Sequence, residues 1–204
     1  MPAEFDFNND DTDTYEELDS LIARVGTTTL KSFVPKPESV DYEKTYIPRY
    51  FIAKAWSPDN MVEVSVDTYN NDFPKLNPGA YNKIQLNWYI SGNIKSYIKD
   101  GGMMEGVLIK NTRAIDEAKK TLPAIILLKQ NLLKFYKSEN LYTSGGEYSL
   151  TQGMPDPSYI GFYHIAAGIG PMVGPNHTGA PHATLYPVDG SNPVTLGNLM
   201  TGTL

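Results

Sequence analysis

The chain has 204 residues and a formal net charge of −6, with 17 glycines, 15 prolines, 14 tyrosines and no cysteine. That length suits one domain or two small ones with a real buried core, and the absence of cysteine excludes disulfide frameworks, thiolate zinc sites and iron–sulfur clusters. The N-terminus, MPAEFDFNNDD, lacks the basic and apolar regions of a signal peptide, and no apolar run reaches the roughly 20 residues of a membrane span.

Residues 1–20 carry eight acids and no base. They read as an arm that a partner orders or that keeps the chain soluble. Within it, TDTYEELDSLIARV (12–25) predicts a short helix, with Tyr15, Leu18, Ile22 and Val25 on one face and Gly26 as its stop. The two prolines of LKSFVPKPESVDY (30–42) make an extended connector.

A folded core is expected next. TYIPRYFIAKAW (45–56) is rich in β-formers, SPDN (57–60) is turn chemistry, and MVEVSVDTY (61–69) places Val62, Val64 and Val66 at period two. The clearest strand is NKIQLNWYI (82–90), where Ile84, Leu86, Trp88 and Ile90 alternate with Lys83, Gln85 and Asn87. A short strand is expected at MMEGVLIK (103–110). A helix follows over 112–122, capped by Asn111 or Thr112, with Ile115, Ala118 and Leu122 inward. Pro123 ends this helix or restarts a second one through 124–136, a stretch too apolar for a free surface.

From Tyr142 the character changes. EYSL and YIGFYHI suggest short strands around a turn at Met154–Pro157, and after Gly168 the glycines and prolines come too often for regular elements. Residues 138–204 contain four acids and no Lys or Arg, so the middle of the chain holds all 17 bases. Those bases are spread singly, and direct nucleic-acid binding is not expected. The end, SNPVTLGNLMTGTL (191–204), is uncharged and suits docking into a neighbour's groove or sheet edge.

All three histidines, His164, His177 and His182, fall in GFYHIAAGIGPMVGPNHTGAPH. Three imidazoles in 19 residues are candidate ligands for zinc or iron, with Glu147 and Asp156 as further carboxylates. Their spacing fits no familiar zinc motif. The bland alternative is that His177 and His182 bond loop backbone while His164 is a packed strand residue. No GxSxG elbow accompanies Ser144, whose Gly145–Gly146 neighbours read as a turn. GIGPMVG lacks a GxGxxG match and is interrupted by proline, which argues against a phosphate loop. The aromatics Tyr46, Tyr50, Phe51, Trp56, Trp88 and Tyr89 could stack on sugars or bases, but at strand spacing they are better read as cross-strand pairs.

Two parts of the chain carry a family resemblance. One is PKPESVDYEKTYIPRYFIAKAW, then EVSVDTY, IQLNWYISG and NTRAIDEAKKTLPAI before LLKFYK. The other is YTSGGEYSL, YIGFYHI, GPMVGPNHTGAPH and LYPV. Together they resemble virion structural proteins of contractile-tailed bacteriophages, especially marine phages that infect cyanobacteria. Where the family pattern often carries a second histidine after YHI or YHV, this chain has Ala166. The resemblance implies a non-enzymatic component of the tail, baseplate or neck, located in the virion after assembly in the bacterial host cytoplasm. Its partners would be further copies of itself and neighbouring virion proteins, with no cofactor and no membrane. The rival expectation is a metal-dependent hydrolase or carbohydrate-binding module of the particle that uses the three histidines.

The expected fold is α+β and β-rich. A compact antiparallel sheet or small barrel with two helices occupies residues 40–138. An acidic arm with a short helix (1–39) precedes it, and a Gly/Pro-rich β module or arm (139–204) follows.

Overall fold

The computed structural model describes residues 30–72, 78–154 and 157–189. The helix expected at 12–25 and the segment 191–204 lie outside the described residues. The fold is α+β and β-rich, its sheets are small and antiparallel, and none closes into a barrel.

The first sheet has the order β2-β1-β3, with β1 (Tyr46–Lys54) between β2 (Ser57–Val64) and β3 (Tyr81–Tyr89). A single turn of helix, α1 (Ser39–Lys44), leads into β1 through Thr45, whose left-handed φ of 71° ends the helix. Tyr46 pairs with Tyr89 and Lys54 with Tyr81, so β1 and β3 match over their full length. SPDN is not the turn expected. The chain reverses at Ala55–Trp56, and Ser57 already pairs with Lys54 as the start of β2. Pro48 is tolerated in the central strand for a geometric reason. Its missing amide falls on the β2 side, beyond the Tyr50–Val64 pair that ends that ladder.

Alternation gives this sheet two buried faces. Ile47, Phe51, Ala53, Leu86 and Trp88 pack with Ile115, Leu122 and Ile125 on one side, while Ile52, Val64 and Tyr81 pack with Leu30, Val62 and Tyr69 on the other. Val66 lies past the end of β2 and is exposed. Arg49 belongs to the first face and is only 1% exposed. It makes a two-pronged ion pair with Glu63, Nε to Oε1 and Nη2 to Oε2, both at 2.7 Å. Its guanidinium also lies over Trp88 at 4.7 Å and Phe51 at 5.1 Å from the ring centroids. Planar guanidinium chemistry suits both contacts.

The hairpin of β4 (Tyr97–Lys99) and β5 (Gly102–Met104) comes next, followed by helix α2 (Val107–Ala118). The helix begins five residues before the expected start and absorbs the second half of the strand expected at 103–110. Its N-terminal amides are satisfied from outside, Val107 N–H by Asn93 O and Leu108 N–H by Ile94 O. The cap position is Gly106, where a Cβ would come within 2.4 Å of the Ile94 oxygen, so only glycine fits there. Asn111 is therefore not a cap. It is fully buried in mid-helix and accepts from Tyr89 N–H (2.8 Å) while donating to Tyr89 O (3.0 Å) and Leu132 O (2.8 Å). Pro123 opens a 3-10 helix, Pro123–Asn131, which lays Ala124 and Ile125 on the core.

The second body of strands comprises β6 (Leu141–Thr143), β7 (Tyr148–Ser149), β8 (Gly161–Ala166), β9 (Gly170–Val173) and β10 (Tyr186–Pro187). They form a three-stranded sheet β6-β8-β9 and a β7–β10 pair. Regular structure after Gly168 exceeds the expectation from glycine and proline density. The physical reason is that GPMV pairs with β8, and its far edge takes a bridge between Met172 and Thr184.

Replacing Asn111 by leucine strips partners from three buried backbone groups and should lower stability by about 2–4 kcal/mol in urea unfolding. Glu63→Ala leaves Arg49 charged and alone in the core, and should lower it by about 3–5 kcal/mol. By contrast Arg49→Met, which replaces the cation with an apolar chain, should be the milder change in the same assay.

Candidate functional site

The three histidines converge in the C-terminal body. Tyr163 and His164 are adjacent on β8, so they face opposite sides of its sheet. Tyr163 joins the cluster of Leu141, Tyr148 and Leu185. His164 is 1% exposed and meets the loop that carries the other two imidazoles. Ring centroids lie 5.4 Å apart for His164–His177, 5.1 Å for His164–His182 and 5.6 Å for His177–His182.

Backbone geometry sets their tautomers. Gly174 adopts φ +97° just after β9. The Val173 and Gly174 carbonyls on either side of that bend each face an imidazole. His164 Nδ1 donates to Gly174 O at 2.9 Å, and His182 Nδ1 donates to Val173 O at 2.9 Å. A carbonyl can only accept, so both Nδ1 atoms carry the proton and both Nε2 atoms present lone pairs. His182 Nε2 accepts from Thr178 N–H at 3.1 Å, with the Thr178 hydroxyl at 2.9 Å. His164 Nε2 lies 3.3 Å from His177 Nδ1, which donates to it. The result is a chain of three imidazoles, in which His177 Nε2 is the ring nitrogen without a bond in the network.

This pattern has two sides. An Nδ1–H held by a backbone carbonyl is how ligating histidines are commonly oriented. Yet His182 uses both nitrogens on backbone, and His164 and His177 are each other's partners. Among the described residues no group of three or more His, Asp or Glu is placed to hold a metal ion. A metal would have to displace the Thr178 amide and the His164–His177 contact. Glu147 lies beside β7, where its carbonyl accepts from Val188 N–H and its charge acts on Tyr148, and Asp156 lies outside the described residues. The carboxylate whose charge reaches His164 is instead Glu139, which sequence spacing did not single out. Thr178 was also missed. Its signal was the i, i+4 spacing of HTGAPH.

The other expected features resolve by geometry. Gly145 and Gly146 both have positive φ and form the turn expected after Ser144. GPMV is strand β9, with no helix after it among the described residues to bind phosphate. Tyr46 and Tyr89 are a register pair with ring centroids 5.7 Å apart, Phe51 and Trp88 are core, and Trp56 is exposed.

Burial, then the neighbouring His182 and His177, hold the His164 pKa below the ordinary imidazole value of 6.5, despite the Gly174 bond and Glu139, which pull the other way. A histidine depressed in the folded state binds fewer protons than in the unfolded chain. The stability it contributes is complete above about pH 6.5 and is lost as pH falls toward the folded pKa. The free energy of unfolding in urea should therefore drop on acidification below about pH 6.5, with a limiting slope near 1.4 kcal/mol per pH unit for one proton. His164→Asn, whose amide can still donate to Gly174 O, should flatten that slope. Comparison with protein-family models, curated proteins and solved structures finds no match to this chain.

Proposed function

We propose that the chain is a structural component of a bacteriophage virion, in the tail or baseplate, and that it acts through contacts between subunits. The residue patterns given above carry the resemblance to virion structural proteins. The observation that most favours an assembly role is the surface of the β4–β5 hairpin, where Ile98 is 54% and Met103 70% exposed, beside Met104. Exposed apolar side chains paired across a hairpin, as Ile98 and Met103 are, mark an interaction surface. The histidine chain supports the same reading, because every ring nitrogen but His177 Nε2 is engaged in an internal bond. The uncharged 191–204 segment and the acidic N-terminal arm supply further contacts with neighbours.

A second reading rests on the gathering of three imidazoles. A metal-dependent hydrolase or carbohydrate-binding module would use His164, His177 and His182. Stoichiometric zinc or iron in purified protein, lost in His164→Ala and His177→Ala, would favour it.

Deleting residues 191–204 should leave the melting temperature of the purified protein within about 2 °C of the full chain, while its recovery in purified particles falls at least several-fold. Normal incorporation of the truncated chain would remove the assembly role of that segment.

A further inference from the structure

The outer edge of β3 is capped at one end and open in the middle. Asn111 occupies both backbone groups of Tyr89, as a neighbouring strand would. In an antiparallel ladder, alternate residues of an edge strand turn both groups outward. Tyr89 sets that parity, so Gln85 and Asn87 also aim N–H and C=O away from β1. Both residues are exposed, and among the described residues no partner takes those groups.

They face a cleft of about 500 Å3 between β3 and α2. Ile84 and Leu86 line its floor, and Glu105, Lys110, Arg113 and Glu117 its rim. A strand added at the usual spacing of about 4.8 Å would run through this space. The volume takes a few extended residues and excludes a folded domain. Two acids and two bases leave the rim electrically balanced.

We propose that residues 191–204 of a neighbouring copy add as a strand to the open edge of β3 at Gln85–Asn87. This rests on the assembly reading above. The 14 residues carry no charge, which suits a balanced rim. The acidic arm, with eight acids in its first 20 residues, would bring net charge into a cleft whose two acids and two bases offer no net countercharge. Val194 and Leu196 stand at period two, so one face of such a strand meets Ile84 and Leu86 while Thr195 turns to the other side. Main-chain bonds supply affinity and the alternate side chains supply selectivity.

The chain contains no cysteine, which makes the test direct. Full-length Gln85→Cys and full-length Thr195→Cys, which the proposed register puts on the same face, are mixed and treated with a short thiol cross-linker. A mixed 85–195 dimer is expected. Gln85→Pro removes the outward N–H without touching the β1 ladder. It should weaken self-association at least tenfold by analytical ultracentrifugation, with an unchanged circular dichroism spectrum. Leu196→Asp, which alters only the inserted segment, should do the same, and it keeps the test intact if the proline variant misfolds. A product linked only through 85–85 would mean that two β3 edges pair, and a link formed only in the dilute Gln85→Cys/Thr195→Cys double variant would mean that the segment returns to its own chain. Either result, or no product, overturns the proposal. Detection of the chain in purified particles is read separately: a cross-linking chain absent from particles overturns the virion reading alone, and an incorporated chain without the link overturns this inference alone.

Discussion

The first sheet depends on one carboxamide. Asn111 offers a donor and an acceptor at nearly the spacing of a peptide group, and it pairs with Tyr89 as a strand would. The same side chain donates to Leu132 O, so helix α2, the edge of β3 and the segment after the 3-10 helix meet at a single buried residue. An unpaired backbone group in that position would cost as much as a lost hydrogen bond. The device recurs in the second sheet. Asn93 accepts from Tyr142 N–H at 2.6 Å and donates to Tyr142 O at 2.8 Å, so a loop residue closes the edge of β6. Because Asn93 O also caps α2 at Val107, helix α2 and the second sheet are fixed by one short loop.

With the edges held, burial fixes the rest. Trp88 and Phe51 fill the first face around the Arg49 guanidinium, whose charge is tolerated because Glu63 and the aromatic rings surround it. Trp88 also donates its indole N–H to Lys134 O at 3.0 Å, which ties the end of the apolar stretch 124–136 to the sheet. These are polar groups with little freedom to pair elsewhere. They specify one arrangement of strands and helix where apolar packing alone would allow several.

The histidines show the same economy of polar groups in a different setting. The positive φ at Gly174 turns two consecutive carbonyls toward two rings, and those bonds decide which nitrogens carry protons. A network of three imidazoles within 5.6 Å of one another holds the loop 174–182 onto β8, and burial there holds the His164 pKa below its ordinary value. The stretch that looked most like chemistry in the sequence thus reads first as a fastening. The open length of β3 and the exposed hairpin are the surfaces left for partners.

Periodicity alone determined the strands with one buried face. Residues 82–90 were legible because Ile84, Leu86, Trp88 and Ile90 alternate without interruption, and the inward set of α2 was visible at Ile115 and Ala118. The convergence of His164, His177 and His182 was legible only as proximity along the chain. What tertiary structure alone decided were the places where one backbone satisfies another. The start of α2 could not be read, because its cap is the pair of carbonyls at Asn93 and Ile94 and a glycine that must approach them. Asn111 looked like a cap, since nothing local says that its partner is 22 residues away on a strand edge. SPDN carried turn residues, yet pairing with β1 drew it into β2. Nothing local pairs Arg49 with Glu63, which the register sets opposite Phe51, so that the buried guanidinium reaches the carboxylate along the diagonal. Local patterns report which side of an element is apolar. Hydrogen bonds between distant backbone and side-chain groups exist only once the chain has folded.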